Sequence, residues 1–326
     1  MTQTNGNNGG SARGLAGVSR TRRQMPMRIL LHGVHGVGKT TFAAHAPAPI
    51  FLCPEDGIPQ SLGDVAHFTA PENGWTWQDV LDSVRALSTS DHEYKTLVLD
   101  TLDWLEPLLW KHVCESAKVA SIEEVGGGYG KGYTAATDGW RVLLAAIERA
   151  RSLKGMNVVL LAHSMIKAFK DPTSESYDRF ELKIHKQASG LWQEWVDAVL
   201  FARYEDVVTK DARTKRIRGV STGARVVYTN HHAAYDAKNR YDLPEELPLS
   251  WDEFAEAVQA RSPADPRALA AVLEENIKRI TDKEKLKRAT DAVARAAGDG
   301  AKLAKLNDWV NGILRAAQTA TEEVAS

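Results

Sequence analysis

Cysteine is scarce in this chain: Cys53 and Cys114 are the two among 326 residues. Their separation fits neither a disulfide framework nor a metal-ligand spacing, so both are expected as buried structural thiols in a reducing cytoplasm. No apolar run approaches the roughly 20 residues of a membrane-spanning helix, and the amino-terminal stretch lacks the hydrophobic centre of a secretion signal. A soluble, cytoplasmic protein with no membrane partner is therefore expected. Net charge is also missing, with 41 Lys and Arg against 42 Asp and Glu, a formal balance of -1. No global field advertises nucleic acid, and any DNA contact must come from a local patch. Residues 1–25 contain no acid and no hydrophobic periodicity, being rich in Gly, Asn, Ser and Arg. They read as a disordered tail whose Arg13, Arg20, Arg22 and Arg23 either graze a phosphate backbone or merely solubilise.

Hydrophobic residues make up 43% of the chain, enough to build a core. The most informative segment is Gly33-Val34-His35-Gly36-Val37-Gly38-Lys39-Thr40-Thr41, a G-x-x-x-x-G-K-T pattern behind a short apolar run and ahead of a helix-compatible stretch. That order of strand, glycine turn and helix start is what a phosphate-binding loop requires. The glycines let backbone N–H groups aim inward at an anion, and the helix start adds partial positive charge. Lys39 is placed to reach β- and γ-phosphates and Thr40 to hold Mg²⁺. His35 is a variable position in such a loop, suited to a local contact and not to catalysis.

From Met27 onward strands and helices alternate. Ile29–Leu31, Ile50–Cys53, Thr96–Leu99 and Asn157–Ala162 read as buried parallel strands. Helices are expected at Thr40–Ala46, over the spacing Trp77, Val80, Leu81, Val84 and Leu87 with Thr76 as cap, from Leu102 to about Val119, and from Trp140 to Leu153 with Gly155 as stop. A glycine-rich loop, Val125–Tyr133, and a polar loop at roughly 164–187 separate these elements. A helix through Leu191, Trp192 and Trp195 then leads to a strand, Val199–Tyr204. The charged turn Lys210–Arg216 and Arg225–Thr229 complete a hairpin. The expectation is an α/β fold with a mostly parallel central sheet flanked by helices. It divides into a tail at 1–25, an ATPase domain at 26–260 and a C-terminal helical region at 261–326, read as three helices in a small appended bundle broken at Gly298 and Gly300.

Hydrolysis needs more than a cradle: an acid to orient the metal, a base for water and a sensor of the γ-phosphate. Asp100 ends the apolar strand Lys95–Leu99, where it serves either as a magnesium ligand or as the cap of the next helix. Thr101 follows it, not the glutamate that AAA+ ATPases and many helicases place there, so the base must come from elsewhere. Glu55, just past the second strand in Pro54-Glu55-Asp56-Gly57, is either that base or an ordinary turn acid. His163 ends the fourth strand as a γ-phosphate sensor or as a solvent-facing side chain.

Together these spacings resemble the RecA-like recombinase ATPase core. More narrowly, the chain resembles phage-encoded single-strand annealing ATPases with a shortened core of that kind. The resemblance spans roughly residues 27–255 and rests on Gly33–Thr41, Pro54–Gly57, Leu97–Asp100, Gly128-Tyr129-Gly130-Lys131-Gly132-Tyr133 and Leu161-Ala162-His163-Ser164. Tyr177–Lys183 and Ala237–Pro244 extend it. Bacterial recombinases carry glutamine where His163 stands. The resemblance implies ATP and Mg²⁺ as cofactors, with Lys39, Glu55, Asp100 and His163 as the catalytic set, and single-stranded DNA as partner. It also implies a homo-oligomer, ring or filament, a single-stranded DNA-binding protein as a further partner, and the host cell cytoplasm as location. Tyr129, Lys131 and Tyr133 in the first loop, with Lys167, Lys170 and Arg179 in the second, would touch DNA. The second loop carries five cations, Lys183 and Lys186 included, against Asp171, Glu175, Asp178 and Glu181, which is a weak footprint. A polar lid or a protomer contact is its other reading. Lys183, Lys186 and Arg225 are candidates for the cation that a neighbouring subunit lends to such sites, or else solvated surface.

Three rivals stand beside this reading. A small-molecule kinase would need an arginine-rich lid, and 164–187 holds one Arg. A nucleotide-gated helicase loader or scaffold would bind ATP with little turnover. An ordinary AAA+ machine is disfavoured by Thr101 and by the lack of a recognisable second sensor arginine.

Overall fold

The computed structural model describes residues 25–314 apart from 56, 170–174, 211–216, 262–265, 281, 297, 298, 300, 301, 304 and 308. The expected tail up to residue 24, Lys170, most of the charged turn before Arg216, and Gly298 and Gly300 lie outside the described residues.

The elements run β1 (Arg28–Gly33), α1 (Lys39–Ala44), β2 (Pro49–Leu52), α2 (Trp77–Thr89), β3 (Thr96–Leu99), α3 (Leu102–Ala117), α4 (Lys131–Lys154) and β4 (Asn157–Phe169). They continue with β5 (Tyr177–Leu182), α5 (Lys186–Trp195), β6 (Ala198–Lys210), β7 (Ile217–Tyr228), β8 (Lys238–Asn239), β9 (Glu246–Pro248), α6 (Trp251–Arg261), α7 (Pro266–Lys278) and α8 (Lys283–Arg295). The sheet order is β2-β3-β4-β1-β6-β7-β9, with β5 paired to β4 and β8 to β6. Pairs β2·β3, β3·β4, β4·β1 and β1·β6 are parallel, and β7, β8, β9 and β5 join antiparallel. The mostly parallel α/β sheet expected from the alternation is therefore present.

Alternation along each strand divides the core in two. Leu30, Leu97, Leu99, Val158 and Leu160 pack against α2, α3 and α4, while Ile29, Leu31, Val98, Val159 and Leu161 face α1 and α6. Every residue of β3 is buried, the uninterrupted pattern of a strand covered on both faces. Helix α2 begins on a full capping box: Asp79 N–H donates to Thr76 Oγ1 at 3.2 Å, and Thr76 N–H donates to the Asp79 carboxylate at 2.9 Å. Trp140 sits at the centre of the first core, edge-on to Trp77 at 5.3 Å and to Trp192 at 5.5 Å. Trp140→Ala is expected to cost about 3–5 kcal/mol, read as a shifted midpoint in urea unfolding, because no small side chain refills that space.

Two loops expected from the sequence are shorter than expected. Residues 164–169 continue β4 and pair with β5 in register Ser164↔Leu182 to Phe169↔Tyr177, so the second candidate DNA segment begins as a hairpin. Phe169, Tyr177 and Phe180 supply the aromatic content that favours this pairing. The glycine-rich segment tightens at Ile122–Gly127 and is helical again from Lys131. Gly132 is there for close packing: a Cβ would run into the Ile122 carbonyl. Likewise β7 starts at Ile217, well before the expected Arg225.

Beyond α6, α7 and α8 with the described helical residues between 302 and 314 enclose a small core of their own, formed by Leu273, Ile277, Ile280, Ala289, Ala296, Leu303 and Val310. Among the described residues no helix is long and apolar enough to cross a membrane. Cys114 packs against the first core, and the Cys53 thiol donates to the Glu55 carbonyl at 2.5 Å.

Candidate nucleotide site

The site lies where β1 and β3 end on either side of β4. The register Gly33↔His163 puts the first loop glycine beside the expected sensor, and β3 lies on the other side of β4. Residues 34–38 then turn back into α1. Gly38 has φ 107, a left-handed conformation that side chains rarely adopt, and its carbonyl already accepts the first helical bond from Phe42 N–H at 2.9 Å. Helix α1 is six residues long. The cradle therefore depends on its unsatisfied first-turn N–H groups more than on a long macrodipole.

Lys39 is 5% exposed, and its ammonium donates to the carbonyls of Gly33 at 3.2 Å and Val34 at 3.0 Å. Burial lowers its pKa to about 8 against the opposing pull of Asp100, Asp103 and Glu55. A bound triphosphate would favour the charged form, so ATP affinity is linked to a proton above that pH. Titrations should show affinity constant below pH 7.5 and falling by up to about tenfold per pH unit above 8. A flat profile to pH 9.5 would contradict the assignment.

Thr40 Oγ1 donates to Asp100 Oδ2 at 2.7 Å. Asp100 does not cap the next helix; Thr101 occupies that position in α3. Burial pushes the Asp100 carboxyl up, while the Thr40 bond and Lys39 pull it down. One hydroxyl and one carboxylate, both hard oxygen donors in contact, suit Mg²⁺, which completes its shell with water and phosphate oxygens instead of a protein cage. Among the described residues no cluster of three or more His, Cys, Asp or Glu offers such a cage.

His163 does not end its strand, and it does not face solvent freely. Its ring Nδ1 donates to Asp103 Oδ2 at 2.8 Å, and its backbone N–H donates to Asp103 Oδ1 at 2.9 Å. Nε2 is thereby the ring atom left for a phosphate or water. Burial would raise the Asp103 carboxyl, but these bonds outweigh it and hold it below the usual range. Three residues on, Glu106 takes the His185 backbone N–H on both oxygens at 3.0 Å, and burial raises its pKa to about 7. One face of α3 thus ties the sensor position on β4 to the start of α5. Neither Asp103 nor Glu106 stands out in the sequence; the available signal was two acids at i and i+3 just after the metal acid.

Glu55 lies beyond β2 in a turn closed by Gly57 N–H to the Glu55 carbonyl at 2.8 Å. The turn reading therefore holds for its backbone. Its carboxylate is close enough for its field to act on both Lys39 and Asp100. His32, buried one position before Gly33, contacts Ser164 Oγ at 3.0 Å and the Asp236 carbonyl at 2.9 Å. The carbonyl can only accept, so Nε2 carries the proton and the Ser164 hydroxyl donates to Nδ1. Desolvation lowers the ring pKa to about 4, which keeps it neutral.

The candidate DNA residues separate. Tyr129 is fully exposed at 101% relative area. Lys131 is exposed but donates to the Gly126 carbonyl at 3.0 Å. Tyr133 lies in the first turn of α4 with one face stacked on His185 at 4.2 Å, so that face is not open to a base. Lys167 is exposed beside Glu181 at 3.4 Å. Arg179 is buried, paired with Asp236 at 2.5 Å and laid over Phe169, so it is not a phosphate-backbone contact in this arrangement. Its pairing required the 230–236 segment to fold over β5, which nothing local in the sequence announces.

Val34, His35, Gly36, Val37 and Thr41 complete the loop, with Val37 buried and His35 and Gly36 exposed. A search of curated proteins finds no match to the chain. Residues 25–241 match the family model described as AAA domain (AAA_24), which covers β1 to β8 and every element of the site. The sequence argument against an ordinary AAA+ machine rested on Thr101 and on the lack of a recognisable second sensor arginine; Thr101 is the N-cap residue of α3. The match concerns the P-loop domain as a whole, and by it the chain belongs to the AAA_24 family of AAA domains, a P-loop ATPase family.

Proposed function

We propose that the protein is a Mg²⁺-dependent ATPase of phage DNA recombination or replication, with a RecA-like core, that binds single-stranded DNA and promotes its annealing or pairing. The observation that carries the catalytic part is the contact of Thr40 with Asp100 beside the buried Lys39. In this reading Lys39 neutralises charge on the β- and γ-phosphates, Thr40 and Asp100 hold the metal, and Glu55 orients the attacking water. His163, held by Asp103, reports the γ-phosphate. ATP favours an assembled, DNA-competent ring or filament and hydrolysis releases it. Exposed Tyr129 and Lys167 support the DNA part, since a ring stacking on bases is worth about 1–3 kcal/mol per base without sequence readout.

Electron microscopy with single-stranded DNA and a nonhydrolysable ATP analogue tests this. Rings or filaments that form only with both ligands are expected. Monomers under all conditions would remove the DNA-assembly part and leave the ATPase.

A second reading, a nucleotide-gated loader or scaffold with little turnover, is favoured by one observation. Arg179 and Tyr133, two of the residues meant for DNA, are engaged within the chain.

A further inference from the structure

We propose that Arg225 is a phosphate ligand of its own chain's nucleotide site, delivered in cis by β7. The inference rests on the triphosphate reading above. It differs from the expectation that a neighbouring subunit lends the extra cation.

The placement begins with the sheet. β4 and β6 flank β1 on opposite sides, so Asp100 and His163 approach the loop from one flank and β6–β7 from the other. Tyr204 and Arg225 are direct cross-strand partners in the middle of β6, two residues past the last pairing of β6 with β1. The Tyr204 hydroxyl donates to the Gly36 carbonyl at 2.8 Å, pinning the loop from that flank. The Arg225 guanidinium carbon lies over the Tyr204 ring, 5.8 Å from its centroid. Nη1 then ends 2.9 Å from where a Cβ on Gly38 would stand, and Cδ 3.8 Å from it. Gly38 is the residue whose turned backbone opens the cradle immediately before Lys39. The guanidinium is thus laid along a tyrosine against Gly38 of the phosphate loop.

Charge and chemistry agree with that position. Among the described residues no carboxylate pairs with Arg225, whereas Arg28 and Arg179 each have one. Two cations therefore converge on one short loop, with Asp100 on the far side of Lys39. A planar guanidinium presents a fork of N–H donors matched to phosphate oxygens. The φ of 107 requires glycine at position 38, and a Cβ there would also push the guanidinium aside.

The test is equilibrium titration of the full chain with a fluorescent ATP analogue and Mg²⁺. Arg225→Ala should weaken binding roughly ten- to hundredfold, the usual worth of a charge-assisted contact. Arg225→Gln, which keeps the stem on Tyr204, should weaken it similarly with an unchanged melting curve. An equal mixture of Arg225→Ala and Lys39→Ala chains separates cis from trans supply. Cis supply leaves every site defective and the mixture weak. Recovery of wild-type affinity in a fraction of the sites on mixing would overturn the proposal, as would wild-type affinity in Arg225→Ala or Arg225→Gln alone. Absence of binding by the unmodified chain would instead bring down the nucleotide reading itself.

Discussion

Lys39→Ala is expected to lower ATP turnover on the order of 10²–10³-fold, the range seen when one preorganised donor to a developing negative charge is removed. The ammonium is almost wholly buried and fixed by two loop carbonyls, so no reorganisation is needed when phosphate arrives. Water is a poor substitute for it, because it carries no charge. Binding should weaken as well, since the same charge meets the ground-state phosphates. Phosphate release and calorimetry with Mg²⁺-ATP read the two effects separately. Turnover at the wild-type rate would show that the loop holds something other than a reacting triphosphate.

Glu55→Gln should act differently, lowering kcat by roughly 10²–10⁴-fold while leaving ATP affinity nearly unchanged. Glutamine keeps the shape and the backbone turn but cannot accept a proton from water. The split between binding and turnover matters because Glu55 occupies a turn that would suit an acid for purely local reasons. Its effect on Lys39 and Asp100 is electrostatic and would be lost in the same variant, so both pKa values should fall slightly, which is not enough to explain a large kcat loss. Equal turnover in the variant would remove Glu55 from the mechanism, and Thr101 offers no carboxylate in its place.

Much of the nucleotide site was legible because its parts are local. The loop glycines, Lys39 and Thr40 are contiguous, and Asp100 sits at the end of an apolar run whose burial on both faces follows from its composition. Thr76 announced its helix by the same local logic, as a capping residue just ahead of the helical spacing from Trp77. The two misread segments failed for opposite reasons. The glycines around Tyr129 suggested a slack loop, but Gly132 serves a close helix contact that depends on Ile122 arriving from another turn. The stretch after His163 is polar on average, and that masked a hairpin whose stability comes from pairing β4 with β5. The DNA assignments suffered accordingly, since exposure of Tyr133 and Arg179 was inferred from loops that are shorter than expected.

The amino-acid sequence by itself determined the P-loop, the parallel α/β core and the acid beside the metal position, because each follows from short-range periodicity and from residue chemistry within a few positions. Tertiary structure alone decided that Asp103 holds His163, that Asp236 takes Arg179 away from solvent and that Arg225 meets Gly38 of its own chain. Each of those contacts joins elements 57 or more positions apart, and sheet order, not local propensity, sets which of them become neighbours.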